Sequence, residues 1–163
     1  MGKVDGIFLE ICSWKRSIIL TAAGAITPTA NGAAQTKVDS TNTTYYVLDY
    51  DKDNDEAAFW QWTMPDSYDD GTIDVTYYWT VDTATTTDVV WCFQATGTTP
   101  NVSENIDSPL SSALCVTDTA LNGAGILASA TTTNATSSFA AGEYAAYGIC
   151  GCNFRNFQKS QWG

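Results

Sequence analysis

Histidine is absent from this chain. That removes the Ser-His-Asp and Cys-His nucleophile systems and the commonest transition-metal ligand. Charge is also sparse. Only 15% of the 163 residues are charged, with 7 basic against 18 acidic, for a net charge of −11. A surface of that sign repels phosphate backbones, and no basic groove is visible, so neither nucleic acid nor an anionic membrane is expected as a partner. No apolar run approaches the roughly 20 residues that span a bilayer. The five cysteines (Cys12, Cys92, Cys115, Cys150 and Cys152) include no CxxC pair. A zinc site is therefore not expected, and the odd count argues against a dedicated disulfide framework. The cysteines read as small buried hydrophobes, with Cys150 and Cys152 on one face of a strand.

What the chain does have is apolar and aromatic bulk. Hydrophobic residues make up 44% of it, with six Trp, eight Tyr and six Phe. Disorder needs the opposite balance. Thr, Val, Tyr, Phe and Trp favour strands, and Ser and Thr fill the polar positions. The length fits one domain that buries a sizeable core without a metal or disulfide staple.

The middle of the sequence is the most legible. In residues 58–64, Trp60, Trp62 and Met64 alternate with Phe59, Gln61 and Thr63. After a turn at residues 65–71, Ile73, Val75, Tyr77 and Trp79 alternate with Asp74, Thr76, Tyr78 and Thr80. This period of two marks a half-buried strand. Val89, Trp91, Phe93 and Ala95 repeat the pattern, and the phase places Trp79 and Trp91 in the core of neighbouring strands. Further strands are expected at residues 15–20, 45–50, 112–116, 125–130 and 143–154. Residues 27–34, 97–109 and 131–138 read as loops. No stretch carries a helical period. The expected fold is all-β: a single antiparallel β-sandwich, jelly-roll-like, of about eight strands. Residues 15–163 form this domain, and residues 1–14 form an arm.

Ser17 to Ala25, preceded by Lys15-Arg16, superficially imitates a signal peptide, but Asp5 and Glu10 upstream and the short apolar run argue against one. The tripeptides Asn42-Thr43-Thr44, Asn101-Val102-Ser103 and Asn134-Ala135-Thr136 match glycosylation acceptors, a match that arises easily in a Thr-rich chain.

Two features invite a functional reading. Asp51, Asp53 and Asp55 alternate in a turn, the spacing with which oxygens ligate Ca²⁺, although the twelve-residue calcium loop is not matched: Glu56 stands at its sixth position and Trp62 at its twelfth. A solvated turn is the simpler reading, and no other cofactor is expected. The arm residues Ile7, Phe8, Leu9, Ile11 and Trp14 are apolar yet lie outside the legible domain, so they are candidates for contacts between subunits. Paired-carboxylate hydrolysis is chemically open, but the acids sit mostly in turns, and the chain is expected to be non-catalytic.

The segment Ala58-Phe59-Trp60-Gln61-Trp62-Thr63-Met64-Pro65, its turn Asp66-Ser67-Tyr68-Asp69-Asp70-Gly71, the ending Tyr78-Trp79 and the following Val89-Val90-Trp91 resemble small structural proteins of tailed bacteriophages. The likeness runs over roughly residues 16–95. Phe154-Arg155-Asn156-Phe157 and the residues after it depart from the pattern. The resemblance implies a β-sandwich subunit of a phage fibre, or of a capsid or tail decoration, working in symmetric copies on the virion. Its partners would be copies of itself, other virion proteins and a host surface glycan. A secreted carbohydrate-binding module and a subunit of an extracellular filament are the competing readings.

Overall fold

The structure is a computed structural model. It describes residues 16–135 and 139–152, with the backbone alone for residues 145–152. Eight strands follow one another: β1 (Ala34–Asp39), β2 (Thr44–Asp49), β3 (Glu56–Thr63), β4 (Ile73–Trp79), β5 (Asp88–Thr98), β6 (Leu114–Thr119), β7 (Ala128–Ala135) and β8 (Tyr144–Cys152). Among the described residues the one helical element is a 3₁₀ turn at Ala22–Gly24. The fold is all-β, as the sequence predicts.

Pairing between the eight strands is antiparallel and nested. β3 pairs with β8, β4 with β7 and β5 with β6. A long hairpin has this order, each strand returning beside its mirror partner. Rolling the hairpin brings β5 against β8 and gives a four-stranded sheet, β3-β8-β5-β6. β4 and β7 stay behind as a separate pair, and β1 and β2 form a third sheet. A rolled hairpin of this kind is the logic of a jelly roll. Here, among the described residues, the second layer has two strands, which cover the first incompletely.

The core lies between the four-stranded sheet and the β4-β7 pair. Trp91 of β5 stacks on Tyr77 of β4 with ring centroids 5.7 Å apart, meets Trp79 at 6.0 Å, and takes the edge of Tyr50 at 5.4 Å. Trp79 and Trp91 are both buried, as their phase predicts. They do not lie on neighbouring strands, however. They meet across two sheets, because rolling separates β4 from β5. The alternation in β4 is otherwise as read, with Tyr77 and Trp79 buried and Tyr78 74% exposed.

Indole N–H groups need acceptors when buried. Trp60 Nε1 donates to the Thr21 carbonyl at 2.9 Å, Trp62 Nε1 to Met64 Sδ at 3.0 Å, and Trp79 Nε1 to Asp118 Oδ2 at 2.9 Å. Trp91 Nε1 is buried and has no hydrogen-bond partner among the described residues.

Several boundaries differ from the sequence reading. Residues 16–20 belong to no strand. Instead β1 forms, from residues that are almost all exposed. The outer edge of β3 is covered by residues 26–33: Ile26 and Phe59 exchange backbone bonds of 2.7 and 2.8 Å, and Ala57 N–H donates to the Asn31 carbonyl at 2.8 Å. That covering protects a sheet edge that would otherwise pair indiscriminately. It needs a tight bend. Asn31 adopts φ 54°, and a Cβ at Gly32 would collide with the Pro28 carbonyl. β5 runs on to Thr98, into the expected loop. β7 likewise absorbs residues 131–135, where a bulge opposite Asp74 is fixed by the Asn134 N–H donating to Asp74 Oδ1 at 3.1 Å.

The cysteines correct the reading further. Cys92 of β5 and Cys115 of β6 are directly opposite each other and joined as a disulfide. The odd count hid this pair, since one bridge leaves three other cysteines. On its other side Cys92 stands in register with Cys150 of β8.

Candidate functional site

The incomplete second layer leaves a groove of about 2270 Å³. Its walls can be identified from the parity of the residues that line it. Along β3 and β5 only alternate residues contribute, namely Trp60 and Trp62, continued by Met64 just past the end of β3, then Val89, Trp91 and Phe93. A strand that contributes every second residue is seen face-on, so β3 and β5 of the four-stranded sheet supply the floor. By contrast, residues 45–52 and 72–83 contribute without a break. Strands that contribute both parities are seen from the side, so β2 and β4 form the two walls. Residues 16–20 also line the groove.

The groove is apolar in its floor and acidic at its rim. Trp60 and Trp91 are buried in the floor. Tyr45, Tyr46 and Tyr78 stand 47%, 48% and 74% exposed at the sides, and Ile19 is 85% exposed. Asp49, Asp51, Asp69, Asp74 and Asp82 also line the groove, against the cations Arg16 and Lys52. The three predicted core aromatics Tyr77, Trp79 and Trp91 thus have a second role as lining. Sequence periodicity marks them as inward-facing, but it does not reveal that, among the described residues, the layer above them has two strands.

The acidic turn between β2 and β3 is built differently from a calcium loop. Asp51 Oδ1 accepts the Asp53 N–H at 2.8 Å and its Oδ2 accepts from the Asn54 amide at 2.9 Å, while Asp51 N–H donates to Glu56 Oε2 at 2.6 Å. The carboxylate closes its own turn in the manner of an Asx turn. The backbone bond from Asp53, then the Asn54 amide, hold the Asp51 carboxyl below its ordinary value. Among the described residues no three of His, Cys, Asp or Glu come together closely enough to hold a metal ion. Asp51, Asp53 and Asp55 are therefore not gathered into a ligand set. The reason is that the turn spends the Asp51 carboxylate on backbone and amide N–H groups rather than aiming it at a common centre.

The arm candidates Ile7, Phe8, Leu9, Ile11 and Trp14 lie outside the described residues. No helix among the described residues is long and apolar enough to cross a membrane.

Comparison with known families found no matching family model, and comparisons with curated proteins and with solved structures found no match.

Proposed function

We propose that this protein is a non-enzymatic structural subunit that works in repeated copies at the surface of a bacteriophage particle, as part of a fibre or a capsid or tail decoration. One observation carries the reading. Six large hydrophobic side chains left exposed by the fold (Ile18, Ile19, Tyr45, Tyr46, Tyr78 and Leu127) line the same groove. Isolated exposed apolar residues are ordinary, but several along one groove suit an interaction surface. In an assembled subunit that surface is an interface rather than a liability.

Three further features support the reading. The chain lacks histidine, and so lacks the base of the Ser-His and Cys-His nucleophile systems. The fold follows jelly-roll logic, which is common in capsid and lectin domains. The Cys92–Cys115 bridge suits an oxidising or extracellular setting. Function in this reading is mechanical: many copies present the acidic outer surface and engage a host glycan at low affinity per copy and high avidity overall.

A carbohydrate-binding module is the second reading, favoured by Tyr45, Tyr46 and Tyr78 at the groove's sides, since aromatic faces stack on sugar rings. Quantitative mass spectrometry of purified phage particles tests the first. It predicts the chain in many copies per particle; its absence from particles that carry their other structural proteins would overturn it.

A further inference from the structure

Three cysteine positions stand in one row across the four-stranded sheet. Cys92 of β5 is opposite Cys115 of β6 on one side and opposite Cys150 of β8 on the other. Its sulfur has two register partners and can bond only one of them at a time.

The backbone tells the two pairings apart. In an antiparallel strand the N–H and C=O of one residue point to the same neighbouring strand, and those of the next residue point to the other. The Thr87 carbonyl accepts from the Ala120 N–H at 3.1 Å, and the Ala95 carbonyl accepts from the Ser111 N–H at 2.9 Å. Thr87 and Ala95 thus point to the β6 side. Cys92 has the other parity, so its backbone groups point to β8. The pair Cys92–Cys115 is therefore the closely spaced, non-hydrogen-bonded kind, and its Cα atoms are 4.0 Å apart. Cys92–Cys150 is the hydrogen-bonded kind, for which the Cα separation is about 5.5 Å. A disulfide spans about 4.4–6.8 Å between Cα atoms, so this second register position also admits a bridge. Cys152 does not compete. It is opposite Val90, diagonal to Cys92. Diagonal neighbours lie about 7–8 Å apart, at or beyond the reach of a disulfide.

Exposure and topology give the exchange a direction. Cys92 is 6% exposed, whereas Cys115 is exposed. β6 is an edge strand, and β8 lies between β3 and β5. Moving the bridge from Cys115 to Cys150 takes it from the edge of the sheet to its two central strands. The sequence separation it closes rises from 23 to 58 (150 − 92). A longer closed loop constrains the unfolded chain more strongly.

We propose that Cys92 is the shared sulfur of an internal thiol–disulfide exchange. The Cys150 thiolate attacks Cys92 Sγ. A Cys92–Cys150 bond forms, the Cys92–Cys115 bond breaks, and Cys115 leaves as a thiolate that takes a proton from water. One thiol is consumed and one is released, so no oxidant or reductant is needed. The product carries a thiol on the exposed edge strand β6, a modification site that the first pairing conceals. This inference does not depend on the repeated-subunit reading.

The test uses the full-length chain with Cys12→Ser and Cys152→Ser, which leaves three cysteines. One bridge then leaves one thiol, and the thiol that takes a label identifies the bridge. The oxidised protein is freed of small thiols and held native in mildly alkaline buffer, where thiols ionise. Samples are quenched at intervals with acid and N-ethylmaleimide and mapped without reduction. The same protein held in denaturant shows the pattern of unfolded scrambling. The proposal predicts both Cys92–Cys115 and Cys92–Cys150 peptides under native conditions, with the label divided between Cys150 and Cys115. Adding Cys150→Ser should leave Cys115 unlabelled. Adding Cys115→Ser should give the Cys92–Cys150 bridge on mild oxidation, with the β-sheet circular dichroism of the parent. Label on Cys150 alone in the three-cysteine protein would overturn the proposal, whether or not the Cys115→Ser protein links. A native Cys115–Cys150 bridge, a protein that forms no bridge, or equal labelling of Cys115 after Cys150→Ser would overturn it as well.

Discussion

Trp91 and Trp79 offer a matched pair in which packing is similar and hydrogen bonding is not. Both are nearly buried, at 8% and 7% exposure, and their rings meet. Truncating either to Ala should cost about 3–5 kcal/mol through lost contacts and the cavity left behind. Replacement by Phe separates the terms. Each Trp→Phe change gives up a similar slice of apolar contact, about 1 kcal/mol. Trp79→Phe also removes the bond from Nε1 to Asp118 Oδ2, and hydrogen bonds to charged groups are worth about 1.5–3 kcal/mol, less where water reaches them. Trp91→Phe removes an N–H that has no partner, so relief of that burial offsets part of the lost packing. Chemical denaturation at one fixed protein concentration, with the disulfide intact, should find Trp79→Phe less stable than Trp91→Phe by about 1–2 kcal/mol. Equal losses, or a larger loss for Trp91→Phe, would refute the assignment of Trp91 as the unsatisfied indole.

The Cys92–Cys115 bridge closes a loop with a sequence separation of 23, and its removal by Cys92→Ser with Cys115→Ser should cost about 3 kcal/mol in denaturant unfolding. Peptide mapping without reductant should recover the linked Cys92 and Cys115 peptides; recovering them only as free thiols would contradict the pairing. The Asp51 carboxyl is held below its ordinary 3.8 by the Asp53 N–H, so its stabilisation is present above that pH and lost as the pH falls through the lower folded value. Asp51→Asn keeps an acceptor for the turn but cannot titrate, and the acid limb of the stability curve should become shallower; an unchanged slope would show that the carboxylate is not linked to folding. Because the acidic turn is closed on itself, neither Ca²⁺ nor a chelator should move the melting temperature, and calorimetry should register no saturable Ca²⁺ heat.

The legible parts of the fold were those where burial follows a period of two. β4 could be read residue by residue because its inward positions are Ile73, Val75, Tyr77 and Trp79. β7 obeys the same period but disguises it. Its inward position Thr132 is buried and shares a hydrogen bond with the Tyr77 hydroxyl at 3.3 Å, so a polar residue stands where an apolar one is sought. β1 has almost no buried face and therefore no pattern to find. Residues 16–20 show the reverse error: they are apolar enough to suggest a strand, yet their apolar side chains line the groove instead of pairing in a ladder. The groove itself was not legible, because it results from how many strands the second layer receives, a property of the rolled pairing rather than of any segment. Spacing showed the acidic turn, but only the direction of its hydrogen bonds separates a turn from a ligand set.

Light scattering on the full-length protein beside a variant lacking residues 1–14 tests the repeated-subunit account most directly. The account predicts a multiple of the chain mass for the full-length protein, rising with concentration if filaments form, and a shift to single chains on removal of the arm. A full-length protein that stays a single chain at high concentration would contradict it.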